Sequence, residues 1–386
     1  MTGTRIKAIY LLLYMAFATW RVFYNVFLDE QGFSGTQIGI INGLIQATLV
    51  IILPLWGVYA DKKGIRPTLR ITLMLSAVLL YFLGDVLIFK WLIFYILILT
   101  VFHHPLGPLT DALAVQYSRS NPDRYNYGNL RLWGSLGWAV ASILGGFIFS
   151  KIELEYVFPA TAILFLVTLF FTGLPFRRSV SIYRPDFNPI RFSMLKENKP
   201  LLVFTVILFL YGIVCSPVNA FINLYFAEMG ADKSLIGIAY AIQSISELPF
   251  FILGNYLVKK FGANRVILLS MLVMVIRMFV YGAASLIPLA LIMGFFQGIT
   301  LSFFLVGVVD FIHKQLPDGR DATAQSLIWG LYFGIGHMAG NLLTGYFRDS
   351  IGMIGVMHYF AWFALVVFLF TGFYFAKGSR SFKYRI

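Results

Sequence analysis

Apolar runs of about 20 residues, separated by short polar turns, fill this chain almost from end to end. A helix that crosses a hydrocarbon core about 30 Å thick needs about 20 predominantly apolar residues. Only helices and closed barrels satisfy every backbone group there. Runs of that length can be drawn at 7–28, 37–60, 67–88, 91–115, 128–150 and 154–174, then at 200–226, 234–258, 266–284, 286–310, 323–347 and 352–376. The pattern predicts an all-α membrane protein of twelve transmembrane helices in two six-helix halves. Residues 1–174 would form the N-terminal bundle, 175–199 a linker and 200–386 the C-terminal bundle. The chain opens with Arg5 and Lys7 and then runs apolar, without a short h-region ending in a small-residue cleavage site. It therefore reads as a retained first span rather than a signal peptide.

The two halves repeat at a steady offset. Glu30-Gln31-Gly32 with Ile38-Gly39-Ile40 recurs as Glu228-Met229-Gly230 with Ile236-Gly237-Ile238, a shift of 198. Gly57 with Lys62 and Lys63 recurs as Gly254 with Lys259 and Lys260, a shift of 197. Trp133-Gly134 recurs as Trp329-Gly330, a shift of 196. Parallel six-span repeats predict a solute site near the membrane midplane and an alternating-access machine.

Composition agrees with the pattern: 59% of residues are hydrophobic and 12% charged, against about 25% charged in soluble domains. The net charge of +13 raises nucleic acid as a partner, and its distribution removes it. Of the 30 Lys and Arg, four (Lys90, Lys151, Lys233, Arg348) fall on one side of the predicted spans and three (Arg21, Arg131, Arg277) within them. The other 23 lie in the N-terminus, the even-numbered connections and the C-terminal tail. By the positive-inside rule both termini are cytoplasmic, and the basic excess orients the chain in a cell (plasma or inner) membrane. Arg177, Arg178, Arg184, Arg191, Lys196 and Lys199 of the linker read as solvated or touching headgroups. The 39 Phe and 21 Tyr read mostly as lipid-facing and interfacial. The single cysteine, Cys215, excludes an intramolecular disulfide and a cysteine metal cluster. There is no G-x-x-x-x-G-K-[ST] phosphate loop, no histidine and acid at metal-ligand spacing and no nucleophile elbow, so neither enzymatic chemistry nor a cofactor or metal is expected.

Charges placed in spans carry the functional signal, because each costs roughly 2.5–3.5 kcal/mol near the bilayer centre unless it meets a partner or water. Asp111 near the end of span four and Arg131 just inside span five would pair across antiparallel neighbours, as the wall of a solute pathway. Arg21 and Asn25 lie mid-span one, and the offset of 198 relates them to Asn219 and Asn223 on span seven, four polar residues suited to a cavity. The alternative for the asparagines is helix-to-helix hydrogen bonding. Glu247 on span eight would titrate during transport or be held as a neutral donor, with Arg277 as its candidate switch. His103 and His104 precede Pro105, which with Gly107 and Pro108 would bend span four. A satisfied histidine beside the break competes with a proton-relay role for His103. Asp310, His313 and Lys314 close span ten as a gate or a surface cluster.

The turn Gly57-Val-Tyr-Ala-Asp61-Lys62-Lys63-Gly64-Ile65-Arg66 resembles the signature loop of the major facilitator superfamily, departing at Ile65. Gly57 is expected to permit close helix approach, Asp61 to meet a helix N-terminus, and Lys62, Gly64 and Arg66 to complete a gating turn. The segments PLTDALA (108–114) and YGNLRLWGS (127–135) resemble the 3-phenylpropionate transporter and lactose permease-like branch. That resemblance implies Asp111, Arg131 and Trp138 as solute-binding residues and Glu247 and Arg277 as part of a coupling network. Gln297 and Thr300 stand where that branch carries a histidine and a proton-carrying glutamate, so Glu247 or Asp111 is left to carry the proton. The resulting expectation is a monomeric proton symporter for an aromatic acid, sugar or nucleoside. Proton-driven drug or metabolite efflux is the alternative within transport, and a non-transporting membrane sensor the alternative outside it.

Overall fold

The computed structural model describes residues 3–122, 124–173, 198–284, 286–315 and 328–382. Apart from its last two residues, the basic linker expected over 175–199 lies outside them, as do residues 323–327 of span eleven. Every element described is helical. In the first half these are α1 (Gly3–Arg21), α2 (Tyr24–Glu30), α3 (Gly35–Lys63), α4 (Ile65–Tyr81), α5 (Phe89–His103), α6 (Leu106–Ser120), α7 (Tyr127–Phe149) and α8 (Val157–Phe171). The second half supplies α9 (Lys199–Ala220), α10 (Ile222–Glu228), α11 (Lys233–Phe261), α12 (Ala263–Ala283), α13 (Ile287–Phe295), α14 (Phe304–Gln315) and α15 (His337–Phe382). Eleven stretches among these are long and apolar enough to cross a membrane. The last, Gly330–Lys377, has 48 residues. That is about 72 Å of helix, twice the hydrocarbon core. It leaves helical geometry at Gly352 (φ 67°), which makes it two spans and the total twelve.

Local chemistry sets the helix ends. Ser34 and Gln37 form a reciprocal capping box at the start of α3: Gln37 N donates to Ser34 Oγ at 3.2 Å and Ser34 N to Gln37 Oε1 at 3.0 Å. Asn126, Asn198 and Asp232 cap α7, α9 and α11 through side-chain oxygens that accept from backbone N–H groups three residues on. The first span breaks at residues 22–23, and span four breaks at His104–Pro105, where proline supplies no N–H. The expected gating turn is shorter than its sequence suggested: α3 runs through Lys63, and Gly64 alone (φ 94°) separates it from α4. Its counterpart Gly262 (φ 84°) separates α11 from α12. Both α3 and α11 contain 29 residues, so the repeat read from the sequence recurs in helix length and in the left-handed link after it.

The described residues cluster into two compact units: 3–173 with 230–245, and 198–229 with 246–382. The expected boundary near residue 200 is therefore crossed by one segment. The first part of α11 packs on the first unit because Lys233 Nζ lies 3.1 Å from Glu30 Oε1 and Ser244 Oγ donates to Ser135 O at 3.3 Å. Within the first unit α1 packs chiefly on α7 and α8, and within the second α15 packs on α9 and α12. Aromatic residues depart from the lipid-facing expectation: Tyr10, Tyr211, Tyr225, Tyr281 and Tyr332 are among the largest fully buried side chains. With lipid outside, burial is not reserved for apolar groups, and large rings fill the helix interfaces.

Backbone proximity of α7 to α1 rests on Gly137, where an added Cβ would stand 2.2 Å from Leu11 O. Gly57 differs from its expected role, since nothing lies within 4 Å of a Cβ built there. Gly137→Ala should therefore cost about 1–3 kcal/mol through overpacking. Gly57→Ala should be neutral or stabilise by about 0.5–1 kcal/mol as a helix-interior change. Detergent-phase thermal melting of the two variants checks the contrast, and equal midpoints would contradict the packing described.

Candidate functional site

Four side chains of the first unit converge where α1, α6 and α7 meet. Tyr10 and Tyr14 sit one turn apart on α1, and their rings are 6.1 Å apart and stacked. Tyr10 OH donates to Asp111 Oδ1 at 2.7 Å. Arg131 Nε lies 3.7 Å from the same oxygen, and the Arg131 guanidinium lies 4.4 Å from the Tyr14 ring centroid. Asp111 and Arg131 are each about one-third exposed (36% and 37%). The pair expected from the sequence thus forms, but loosely and through Nε. The terminal fork of the arginine, its best carboxylate- and hydroxyl-binding face, is not spent on Asp111. Gly134 makes room for the stack: a Cβ there would stand 2.9 Å from Arg131 Nη1 and 3.0 Å from the Tyr14 ring. Lys7 Nζ extends the cluster, 5.5 Å from the Trp133 ring and 5.8 Å from that of Tyr125.

Arg21 ends α1 at the break in span one. It is exposed, Tyr14, Tyr240, His103 and His104 stand close enough to feel its charge, and it makes no hydrogen bond or ion pair among the described residues. Asn25 turns away and is buried, accepting from Asn42 Nδ2 at 2.9 Å. In the second unit Asn219 is exposed and Asn223 is fully buried, accepting from Leu224 N at 2.9 Å. The four symmetric polar residues therefore divide: Arg21 and Asn219 are open, Asn25 and Asn223 belong to helix packing. Trp138 is half-buried and contacts no other ring among the described residues.

Arg277 on α12 is fully buried. Its Nε donates to Met293 O at 2.9 Å, its Nη1 to Gln297 Oε1 at 2.9 Å and Thr300 Oγ1 at 2.6 Å, and its Nη2 to Tyr281 OH at 3.4 Å. All four partners are neutral. The expected Glu247–Arg277 pair is not formed: Glu247 is half-buried on α11, where its backbone carbonyl accepts from Ser302 Oγ at 3.2 Å. Thr300 lies in a π-helical turn, Ile299–Phe303, a winding often found at functional positions. Gln297 and Thr300, placed by resemblance at coupling positions, are thus the direct ligands of the buried cation.

His103 is buried between the rings of Phe17 (5.0 Å) and Trp20 (5.1 Å), with Nε2 unpartnered. His104 Nε2 lies 2.7 Å from Ile45 O and 3.1 Å from Thr48 Oγ1. At the end of the first unit that carries the α3–α4 link, a cavity of about 590 Å³ opens between α3 and α6, with Trp56, Asp61, Leu109, Gln116 and Arg119 in its wall. Gly57 lines it too. Asp61 makes no hydrogen bond among the described residues, Lys62 is exposed and Arg66 half-exposed. Lys314 Nζ and Asp310 Oδ2, 2.6 Å apart, close α14.

Twelve helical spans among the described residues, with charged residues held inside them, make this a multi-pass membrane protein. The chain belongs to the MFS_1 like family, whose model matches residues 3–374, and so to the major facilitator transporters. It is similar to a maltose permease of Geobacillus stearothermophilus, 26% identical over 382 residues that cover 96% of this chain and 94% of that one. It is also similar to a protein of Escherichia coli (strain K12) described as a probable 3-phenylpropionic acid transporter, 26% identical over 72% of this chain and 74% of that one. A crystal structure of the nucleoside transporter NupG shares the fold, with a TM-score of 0.86 at 19% identity over 97% of this chain and 99% of that one.

Sequence reading missed Tyr10, Tyr14 and the second unit's polar cluster around His337. The signal for the tyrosines was present: Tyr10, Tyr14, Phe17 and Arg21 fall at helical spacing on one face. Tyr10→Phe removes a hydrogen bond to a partly exposed carboxylate and should destabilise by about 1–1.5 kcal/mol. Tyr14→Phe keeps the ring beneath Arg131 and should stay within about 0.5 kcal/mol of the parent. Thermal unfolding of the solubilised variants separates the two. A larger loss for Tyr14→Phe would contradict the contacts assigned to each ring.

Proposed function

We propose that this chain is a proton symporter that brings a small organic solute of the aromatic acid, sugar or nucleoside class across the cell membrane by alternating access, with both termini cytoplasmic. The observation that carries this reading is the open cluster of Tyr10, Tyr14, Asp111 and Arg131 together with the unpaired Arg21. Charged groups partly exposed at span depth imply water beside them, since lipid would not tolerate them. Stacked rings beside a guanidinium fork and a carboxylate suit a solute with a flat or ring-shaped body and several acceptor or hydroxyl groups. Relatives described as maltose, phenylpropionic acid and nucleoside carriers support that range of solutes for this chain.

Asp111 is the carboxylate best placed to carry the proton. One of its oxygens lies against both the Tyr10 hydroxyl and Arg131 Nε, with Tyr127 beside it, so a solute that binds Arg131 would act directly on this carboxylate. Glu247 is the second candidate carboxylate. Arg277 is held by neutral ligands rather than by a carboxylate. His103 is buried and ringed by the side chains of Phe17, Trp20 and Phe165, which favours a packing role for it.

Proteoliposomes given labelled maltose, uridine or 3-phenylpropionate test the proposal. At 100 mV, one proton per neutral solute supports about fiftyfold accumulation. Accumulation indifferent to an imposed proton gradient would remove the symport claim. Arg131→Ala should lower transport about 10- to 100-fold by deleting a charge-assisted contact, and wild-type counterflow in that variant would remove the site.

A further inference from the structure

Polar groups gather a second time where α9 meets the π-helical segment Gly330–Gly336 and the start of α15. His337 is buried, and its Nδ1 lies 2.8 Å from Tyr332 O, five residues back in the π-helical turn. A carbonyl only accepts, so Nδ1 carries the proton. Nε2 of the neutral ring then holds a lone pair. The atom facing it, at 3.0 Å, is Nδ2 of Asn219 on α9. The other faces of the imidazole meet the rings of Tyr332 (4.9 Å) and Phe333 (5.6 Å). Ser216 Oγ donates to the His337 backbone carbonyl at 3.4 Å and bonds Asn341 Oδ1, fixing the start of α15 against α9.

The consequence falls on Asn219. An amide can sit either way round, and its orientation is set by its network. Here the acceptor Nε2 admits only the NH2 end. Oδ1 must then point away from the ring. Asn219 is exposed and makes no other hydrogen bond among the described residues. It therefore offers an acceptor oxygen outward. The repeat makes the choice informative, because Asn219 corresponds at an offset of 198 to Arg21, whose guanidinium can only donate.

We infer that His337 is a specificity-determining, positioning residue: it locks Asn219 so that this position takes a hydrogen-bond donor of the solute, a hydroxyl or an N–H. This rests on the reading of Asn219 as a solute-facing group of a transporter. Solutes without a donor at the matching place forfeit one hydrogen bond, the kind of loss that separates substrates when a buried or half-buried polar group is left unpaired.

The full chain tests this in two ways. In detergent with ¹⁵N-labelled histidine, the His337 resonances, assigned by their loss in His337→Gln, should report a protonated Nδ1 and an unprotonated Nε2. An Nε2–H tautomer overturns the inference whatever transport does. In proteoliposomes fed uridine, maltose or 3-phenylpropionate, Asn219→Ala and His337→Phe should each raise KM about tenfold for the solute carried, with the maximal rate within about twofold. The double variant should be no worse than Asn219→Ala, because the histidine acts through the amide. His337→Gln, which can still accept from Asn219 and donate to Tyr332 O, should return KM toward the parent value. A wild-type KM in His337→Phe, or losses that multiply in the double variant, overturn it. If Asn219→Ala transports normally while Arg131→Ala does not, this inference falls and the proposed transport function stands; if both transport normally, the proposed site falls as well.

Discussion

A guanidinium stacked on a tyrosine, half-paired with a carboxylate and partly exposed, is the constraint on which the first unit turns. Arg131 reaches that place only because α7 lies almost backbone to backbone on α1, with no side chain at Gly134 or Gly137 to hold the helices apart. Tyr14 then supplies the face and Tyr10 the hydroxyl that fixes Asp111. Interfaces between spans gain from such close approach, since lipid offers helices no hydrophobic reason to associate. The same packing that joins the helices therefore also sets a donor fork and an acceptor side by side.

The second unit repeats the helices without repeating the chemistry. A 29-residue helix, a left-handed glycine and a one-residue link recur, but Arg21 is answered by Asn219, and the charged cluster by a neutral one. Among its described residues Arg277 is the cation held at depth, enclosed by a carbonyl, an amide and two hydroxyls. Neutral ligands satisfy most of its donors, so a hydrogen-bonded guanidinium stands where a switch acting on Glu247 was expected.

What the sequence revealed and what it hid follow from range. Span length, the six-span repeat and the penalty on buried charge are local or compositional, and they sufficed for twelve helices and for Asp111 and Arg131. The contacts that give those residues meaning join positions about a hundred apart, such as Tyr10 with Asp111. In a chain with 21 tyrosines nothing local distinguishes one that holds a carboxylate from one that faces a headgroup. Likewise Asn25 and Arg21 look alike as polar residues one turn apart, yet the break at residues 22–23 exposes one and buries the other. The π-helical turns beside Thr300 and His337 have no signature in hydropathy at all, and His337 passed unnoticed as one histidine in an apolar run.

The account stands on water reaching charged side chains at the depth of the spans. Cys215→Ser removes the chain's single, buried cysteine, and cysteines can then be placed one at a time at Tyr14, Arg21, Asp111 and Arg131, with Phe158, which is fully buried, as the control. Labelling in membranes with a charged, membrane-impermeant methanethiosulfonate is the direct measurement. Rapid modification at residues 14, 21, 111 and 131, with none at 158, is the result predicted. Cysteines at 21 and 131 that stay unmodified from both faces of the membrane would contradict it.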